Sequence, residues 1–132
     1  MSTYRTAVKL APGRTATASL VVDDGDTALA LRSGDVPVLS TPRLVALGEE
    51  ATCRVIEGAI DESRTTVAVR VRFDHFAPVR VGSTVTAEAI LARVEGRRLT
   101  FTISARDGSG LVGAGRVTRV IVDRQAFLAK AR

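Results

Sequence analysis

The chain has one histidine, His75, placed just past the alternating run Val67-Ala68-Val69-Arg70-Val71-Arg72-Phe73-Asp74, where a half-buried strand would reach a rim. Imidazole changes charge near neutrality, so this position constrains proton transfer more than any bulk property of the chain does. Upstream, Ser40-Thr41-Pro42-Arg43-Leu44-Val45-Ala46-Leu47-Gly48-Glu49-Glu50 reads as a capped helix with a hydroxyl at its start and a carboxylate pair two turns on. The imidazole and this carboxylate-bearing helix together suggest a small active site. Each also has a structural reading: Thr41 as a helix cap, Glu49 and Glu50 as an exposed acidic patch, His75 as an ordinary strand-end residue.

The elements that must position these groups are legible from spacing. Thr41 fits the N-cap, where its hydroxyl accepts a backbone N–H, and Pro42 fits the first helical position. Leu44, Leu47, Ala51 and Val55 then recur every three or four residues, with Val45, Gly48, Thr52 and Ile56 widening the stripe until the helix wants burial on several sides. Gly58 is its expected stop, and Asp61-Glu62-Ser63-Arg64 a polar connection. Cys53, inside this apolar helix, is expected to be buried packing. In the strand that follows, Val67, Val69, Val71 and Phe73 share one face by period two, and Thr66, Ala68, Arg70 and Arg72 the other.

Further strands are expected over residues 15–22, 84–94, 99–105 and 111–122. Turns at Glu95-Gly96-Arg97-Arg98 and Asp107-Gly108-Ser109-Gly110 separate the last three. Asp23-Asp24-Gly25-Asp26 and Arg32-Ser33-Gly34-Asp35 bracket a segment read as a short helical turn or a lid. The first dozen residues lack periodicity and read as an arm. The order is strand, long loop, helix, then four strands in an antiparallel meander, which predicts an α+β layer with a curved sheet wrapped around one long central helix.

Composition bounds the alternatives. The 132 residues fit a single domain, 1–132. No run approaches the roughly 18 apolar residues of a membrane span, and the N-terminus lacks a signal-peptide hydrophobic region, so no membrane partner and a cytoplasmic location are expected. One cysteine excludes an internal disulfide and a cysteine-based zinc site, and no metal-ligand cluster or phosphate-binding glycine loop is present. The net charge of +5 favours anionic partners, but dispersed arginines, 4% aromatic residues and no tryptophan argue against nucleic acid.

One constraint is purely geometric. Eight residues at about 1.5 Å each put Thr41 and Glu49 roughly 12 Å apart on one regular helix, beyond direct hydrogen bonding. If both serve one site, they come from different chains. A homodimer with two equivalent interface sites is therefore expected, with a higher oligomer left open.

Several segments, in this order, carry a resemblance: Leu39-Ser40-Thr41-Pro42 with Glu49, Asp74-His75-Phe76-Ala77-Pro78, Val94-Glu95-Gly96-Arg97-Arg98-Leu99, and Gly113-Ala114-Gly115 followed by Arg119. In these the chain resembles the hotdog superfamily, and within it the fluoroacetyl-CoA thioesterase-like branch. The resemblance implies a hotdog fold and an acyl-CoA thioesterase that releases free acid and coenzyme A, with coenzyme A as part of the substrate and no other cofactor. It implies a catalytic set of Thr41, Glu49 and His75, in which Glu49 acts as nucleophile or general base, His75 positions or deprotonates water, and Thr41 hydrogen-bonds carboxylate or substrate. Glu50 stays open as the competing carboxylate.

The resemblance also implies substrate-binding roles at Ala68 and Arg119, although Arg119 reads equally well as a solvated strand residue. The fluorine-specialised pattern has a phenylalanine-bearing lid before the threonine and a glycine at the position of Ala68. This chain has neither, so a broader acyl-CoA substrate is expected. A non-catalytic acyl-CoA-binding hotdog module is the first alternative and a hotdog hydratase or dehydratase the second.

Overall fold

A computed structural model describes residues 10–132. The elements run β1 (Thr15–Val21), a 3₁₀ turn (Asp24–Asp26), α1 (Ala28–Leu31), α2 (Thr41–Ile56), β2 (Arg64–His75), β3 (Thr84–Glu95), β4 (Arg98–Asp107), β5 (Gly110–Asp123) and α3 (Arg124–Ala129). Most of the expected N-terminal arm lies outside the described residues. The predicted helix and the strands around it are all present, and the terminal turn of helix α3 is an addition to them.

The five strands form one antiparallel sheet in the order β1-β3-β4-β5-β2. This corrects the expected four-strand meander. Only β3, β4 and β5 run consecutively; β2 crosses to the far edge and pairs with β5, while β1 closes the other edge against β3. The sheet curves around α2, giving the α+β arrangement expected of a hotdog fold.

The helix is seated by size complementarity. Leu44, Leu47, Ala51 and Val55 are fully buried, and α2 packs chiefly on β1 and β3. There the inward positions include Ala18, Ala87 and Ala89, whose small side chains let the helix approach the backbone closely. Larger residues, Leu91, Leu99, Phe101 and Ile121 among them, fill the remaining core. Cys53 corrects its expectation: it is exposed, because it lies off the stripe formed by Ala51, Thr52, Val55 and Ile56. No helix among the described residues is long and apolar enough to cross a membrane.

Strand β2 departs from simple alternation. Its register against β5 steps from Ala68↔Arg119 to Arg70↔Thr118, so Val69 is an extra, bulged residue. Before the bulge, Thr66 and Ala68 face the helix side, where Thr66 bonds the buried Arg119 and Ala68 packs on the core. Beyond it Phe73 packs on the core instead. The expected single face of Val67, Val69, Val71 and Phe73 is thus broken at Val69, which is 53% exposed.

Phe73 fits between glycines. A Cβ on Gly113 would come 2.7 Å from its ring, one on Gly115 2.8 Å from its ring and 2.1 Å from the Arg72 carbonyl oxygen. From the helix side a Cβ on Gly48 would lie 3.7 Å away. The Gly113-Ala114-Gly115 segment is thereby explained as the floor under an aromatic ring.

Candidate active site

The start of α2 is built differently from expectation, and the difference places a functional group. Ser40, not Thr41, is the N-cap: its Oγ accepts from the Arg43 N–H at 3.1 Å, and its carbonyl accepts the Leu44 N–H. Pro42 moves to the second helical position, where its missing donor still costs nothing because the first four N–H groups have no helical partner. Thr41 becomes the first residue of the helix with its hydroxyl released from capping. That hydroxyl meets His75: Thr41 Oγ1 and His75 Nδ1 are 2.8 Å apart, and either can donate according to the imidazole tautomer.

His75 is held at the end of β2 by register, Phe73↔Gly115 and His75↔Gly113. The chain then turns away because the carbonyl of Val112 accepts the N–H groups of both Phe76 and Ala77. The other ring nitrogen of His75, Nε2, is buried and has no hydrogen-bond partner among the described residues. Buried polar atoms are nearly always satisfied, so this imidazole nitrogen is left open to a partner that the described residues do not supply.

Thr41 and His75 border a cleft of about 340 Å³, walled by Ala28, Val36, Val38, Leu39, Phe76 and Pro78 among others. The bracketed segment ahead of the helix supplies one wall. Its turn is tied down by Asp26, whose Oδ2 accepts the Asp23 N–H, whose Oδ1 accepts Arg43 Nε at 3.1 Å, and whose carbonyl accepts the Ser40 N–H. Arg32 ends α1 in a left-handed conformation, φ 57°, with its N–H turned back to the carbonyls of Ala28 and Leu29. The wall is mostly aliphatic, and its Val38 is tied to the segment after β2 by the isolated bridge Val38↔Arg80.

Glu49 does not join this pair. It lies on the same unbroken helix as Thr41, two turns along, about 12 Å away by helical rise. It is half-buried, and its carboxylate makes no hydrogen bond or ion pair among the described residues. Glu50, by contrast, is exposed and paired with Arg54 Nη2 at 3.1 Å, one turn on.

Arg119 is not a solvated strand residue: it is 7% exposed. Its Nε donates to Thr66 Oγ1 at 2.8 Å, its Nη2 to the Thr66 carbonyl at 3.1 Å and its Nη1 to Thr52 Oγ1 at 3.5 Å. Thr52 Oγ1 in turn donates to the carbonyl of Glu49. The guanidinium is therefore fixed beneath the Glu49 turn of the helix, with no carboxylate within ion-pairing distance among the described residues. Ala68 stands opposite it in register, half-buried on the same face. The threonines that hold Arg119 were not singled out by sequence; β-branched residues on a strand and a helix are too common to signal a clamp. Among the described residues, no three His, Cys, Asp or Glu side chains gather where they could hold a metal ion.

The geometry has relatives. A family model described as fluoroacetyl-CoA-specific thioesterase matches residues 22–125. The fluoroacetyl-CoA thioesterase of Streptantibioticus cattleyicolor is 34% identical over 95 residues, 72% of this chain and 68% of that protein. The crystal structure of a variant fluoroacetyl-CoA-specific thioesterase in complex with fluoroacetate and CoA superposes with a TM-score of 0.85 at 28% identity, covering 89% of this chain and 99% of that one. A hot-dog-like protein from Thermanaerovibrio acidaminovorans shares the fold with a TM-score of 0.82 at 21% identity, covering 100% and 99% of the two chains.

Proposed function

The chain belongs to the fluoroacetyl-CoA-specific thioesterase family, and from that premise we propose that it hydrolyses acyl-CoA thioesters at a composite site formed by two copies of the chain. The carrying observation is the Thr41–His75 pair at 2.8 Å beside an aliphatic cleft, with His75 Nε2 buried and unpartnered. In this reading the acyl group lies in the cleft, and Thr41 holds the imidazole through Nδ1. Nε2 faces the reacting centre, where Glu49 of a second copy completes the set. Glu49 is the better carboxylate than Glu50, since it is half-buried and uncommitted while Glu50 is spent on Arg54.

The tautomer ties structure to mechanism. With Nδ1–H donating to Thr41 Oγ1, Nε2 carries a lone pair and takes the proton of an attacking water; the C–S bond then breaks and coenzyme A leaves as the thiol after protonation. With Thr41 donating to Nδ1, Nε2–H instead donates to the carboxylate or the thioester oxygen, and the carboxylate does the activating. The edge position of β2, with Val69 53% and Val71 38% exposed, supports a second copy docking there. An aliphatic cleft without the aromatic lid supports a broader acyl range than fluoroacetyl.

The composite site is tested by mixing two inactive chains, His75→Ala and Glu49→Gln, in a thiol-release assay across acetyl to longer acyl-CoA substrates. In mixed dimers one of the two sites is wholly wild type, so random pairing restores about a quarter of wild-type activity. No restoration, with mixed dimers demonstrated by mass, sinks the two-chain site. Acyl-CoA binding without thiol release from any substrate by the wild-type protein turns the reading to the non-catalytic module.

A further inference from the structure

The outward face of the sheet holds a second concavity that the proposed reaction leaves unused. It encloses about 480 Å³ and is lined by Arg72, Asp74, Phe76, Thr102 and Arg116 among others. The register explains its charge: Arg72 of β2 lies directly opposite Arg116 of β5, and Arg116 directly opposite Thr102 of β4. Beyond the bulge, the even-numbered residues of β2 face away from the helix, because Phe73 faces inward. Two guanidinium groups are thus set side by side on one face, with Cβ atoms about 5 Å apart.

Like charges in direct cross-strand register repel, and neither guanidinium of this pair is tied down by an ion pair among the described residues. Arg43, Arg54, Arg64 and Arg93 each reach a carboxylate; Arg72 and Arg116 reach none among the described residues, although Asp74 lines the same hollow. Phe76 connects the hollow to the proposed active site. It directly follows His75, is 58% exposed, and walls both the 340 Å³ cleft and the 480 Å³ hollow. Phe76 therefore stands on the boundary between the hollow that holds His75 and the hollow that holds the two arginines.

We propose that Arg72 and Arg116 bind the phosphates at the nucleotide end of the acyl-CoA substrate, with Phe76 as the ring over which the arm or the base packs. This rests on the acyl-CoA reading above and assigns it a second anchoring point. Paired planar guanidinium groups match phosphate oxygens in charge and geometry, and an exposed aromatic ring suits a purine face.

The test compares two thioesters of the same acyl group, one on coenzyme A and one on N-acetylcysteamine, which keeps the reacting end and has no phosphate. For the double variant Arg72→Gln/Arg116→Gln, KM for the CoA thioester rises, and the preference in kcat/KM for CoA over N-acetylcysteamine falls roughly 10- to 100-fold, the size of one charge-assisted hydrogen bond. In parallel, calorimetry with adenosine 3′,5′-bisphosphate, a probe without thioester, shows binding to wild type and its loss in the double variant. An unchanged preference together with unchanged bisphosphate affinity overturns the assignment, as does a change in oligomer mass with KM for the CoA thioester unaltered, which makes the pair an assembly contact. Failure of the hydrolase reading looks different. The wild type then cleaves neither thioester, while the calorimetry still reports on the arginines.

Discussion

Ser40 and Thr41 divide two duties that a single residue often combines, and substituting each in turn separates them. Ser40→Ala removes the acceptor of the Arg43 N–H in a residue only 1% exposed, a loss worth about 1 kcal/mol, within a range of roughly 0.5–2. For 132 residues, an unfolding entropy of roughly 2.1 cal/mol/K per residue gives about 0.28 kcal/mol/K, so Tm falls by roughly 4 °C. Thr41→Ala removes no cap and leaves an exposed first helical position, so its Tm stays within about 2 °C of wild type. Its effect is on the reaction. Among the described residues Thr41 is the hydrogen-bond partner of His75 Nδ1; a hydrogen bond to a charged group contributes roughly 1.5–3 kcal/mol, which at about 1.36 kcal/mol per decade predicts a roughly 10- to 150-fold fall in kcat. Thr41→Ser restores most of it. The assay is thermal unfolding beside acyl-CoA hydrolysis on the same preparations. A Tm drop in Thr41→Ala equal to that in Ser40→Ala would return the cap to Thr41 and refute the division.

Other substitutions probe the scaffold. Gly115→Ala places a Cβ against the Arg72 carbonyl oxygen and the Phe73 backbone, which cannot yield as a flexible side-chain tip would; a loss of at least about 1–3 kcal/mol by denaturant unfolding is expected. Gly108→Ala, with open space around it and no positive φ, is the control and shifts stability by no more than about 0.5 kcal/mol. Thr66→Val leaves Arg119 Nε without its 2.8 Å acceptor and costs about 1–3 kcal/mol, since the donor is buried and charged; equal stability of Thr66→Val and wild type would show that the guanidinium finds water instead.

What could be read in the sequence follows from the range of the interactions. The helix was legible because Leu44, Leu47, Ala51 and Val55 carry its period locally. Strands β3, β4 and β5 were legible because two-residue turns join alternating runs. The place of β2 was not, because pairing β2 with β5 spans the whole of β3 and β4, and periodicity names a face without naming a neighbour. The helix cap was misplaced by one residue because Ser40 and Thr41 are both competent and Pro42 tolerates either of the first two positions. Arg119 was hidden for another reason: an arginine on a strand reads as surface until its clamp, Thr66 and Thr52, is brought from two other elements. The meeting of Thr41 and His75, 34 residues apart, rested in the sequence on resemblance alone, and in the structure it rests on a distance.

The bulge at Val69 bears on which changes of length the protein tolerates. Because Ala68 pairs with Arg119 and Arg70 with Thr118, the ladder is continuous on either side without Val69. Deleting that residue leaves Phe73 and His75 on the helix side. While Val69 stays bulged, deleting a residue between Arg70 and Asp74 moves His75 to the opposite face of the sheet, away from Thr41, because side chains alternate with period two. The bulge is thus a spare residue in this strand, one that can be lost without disconnecting the imidazole from its hydroxyl partner.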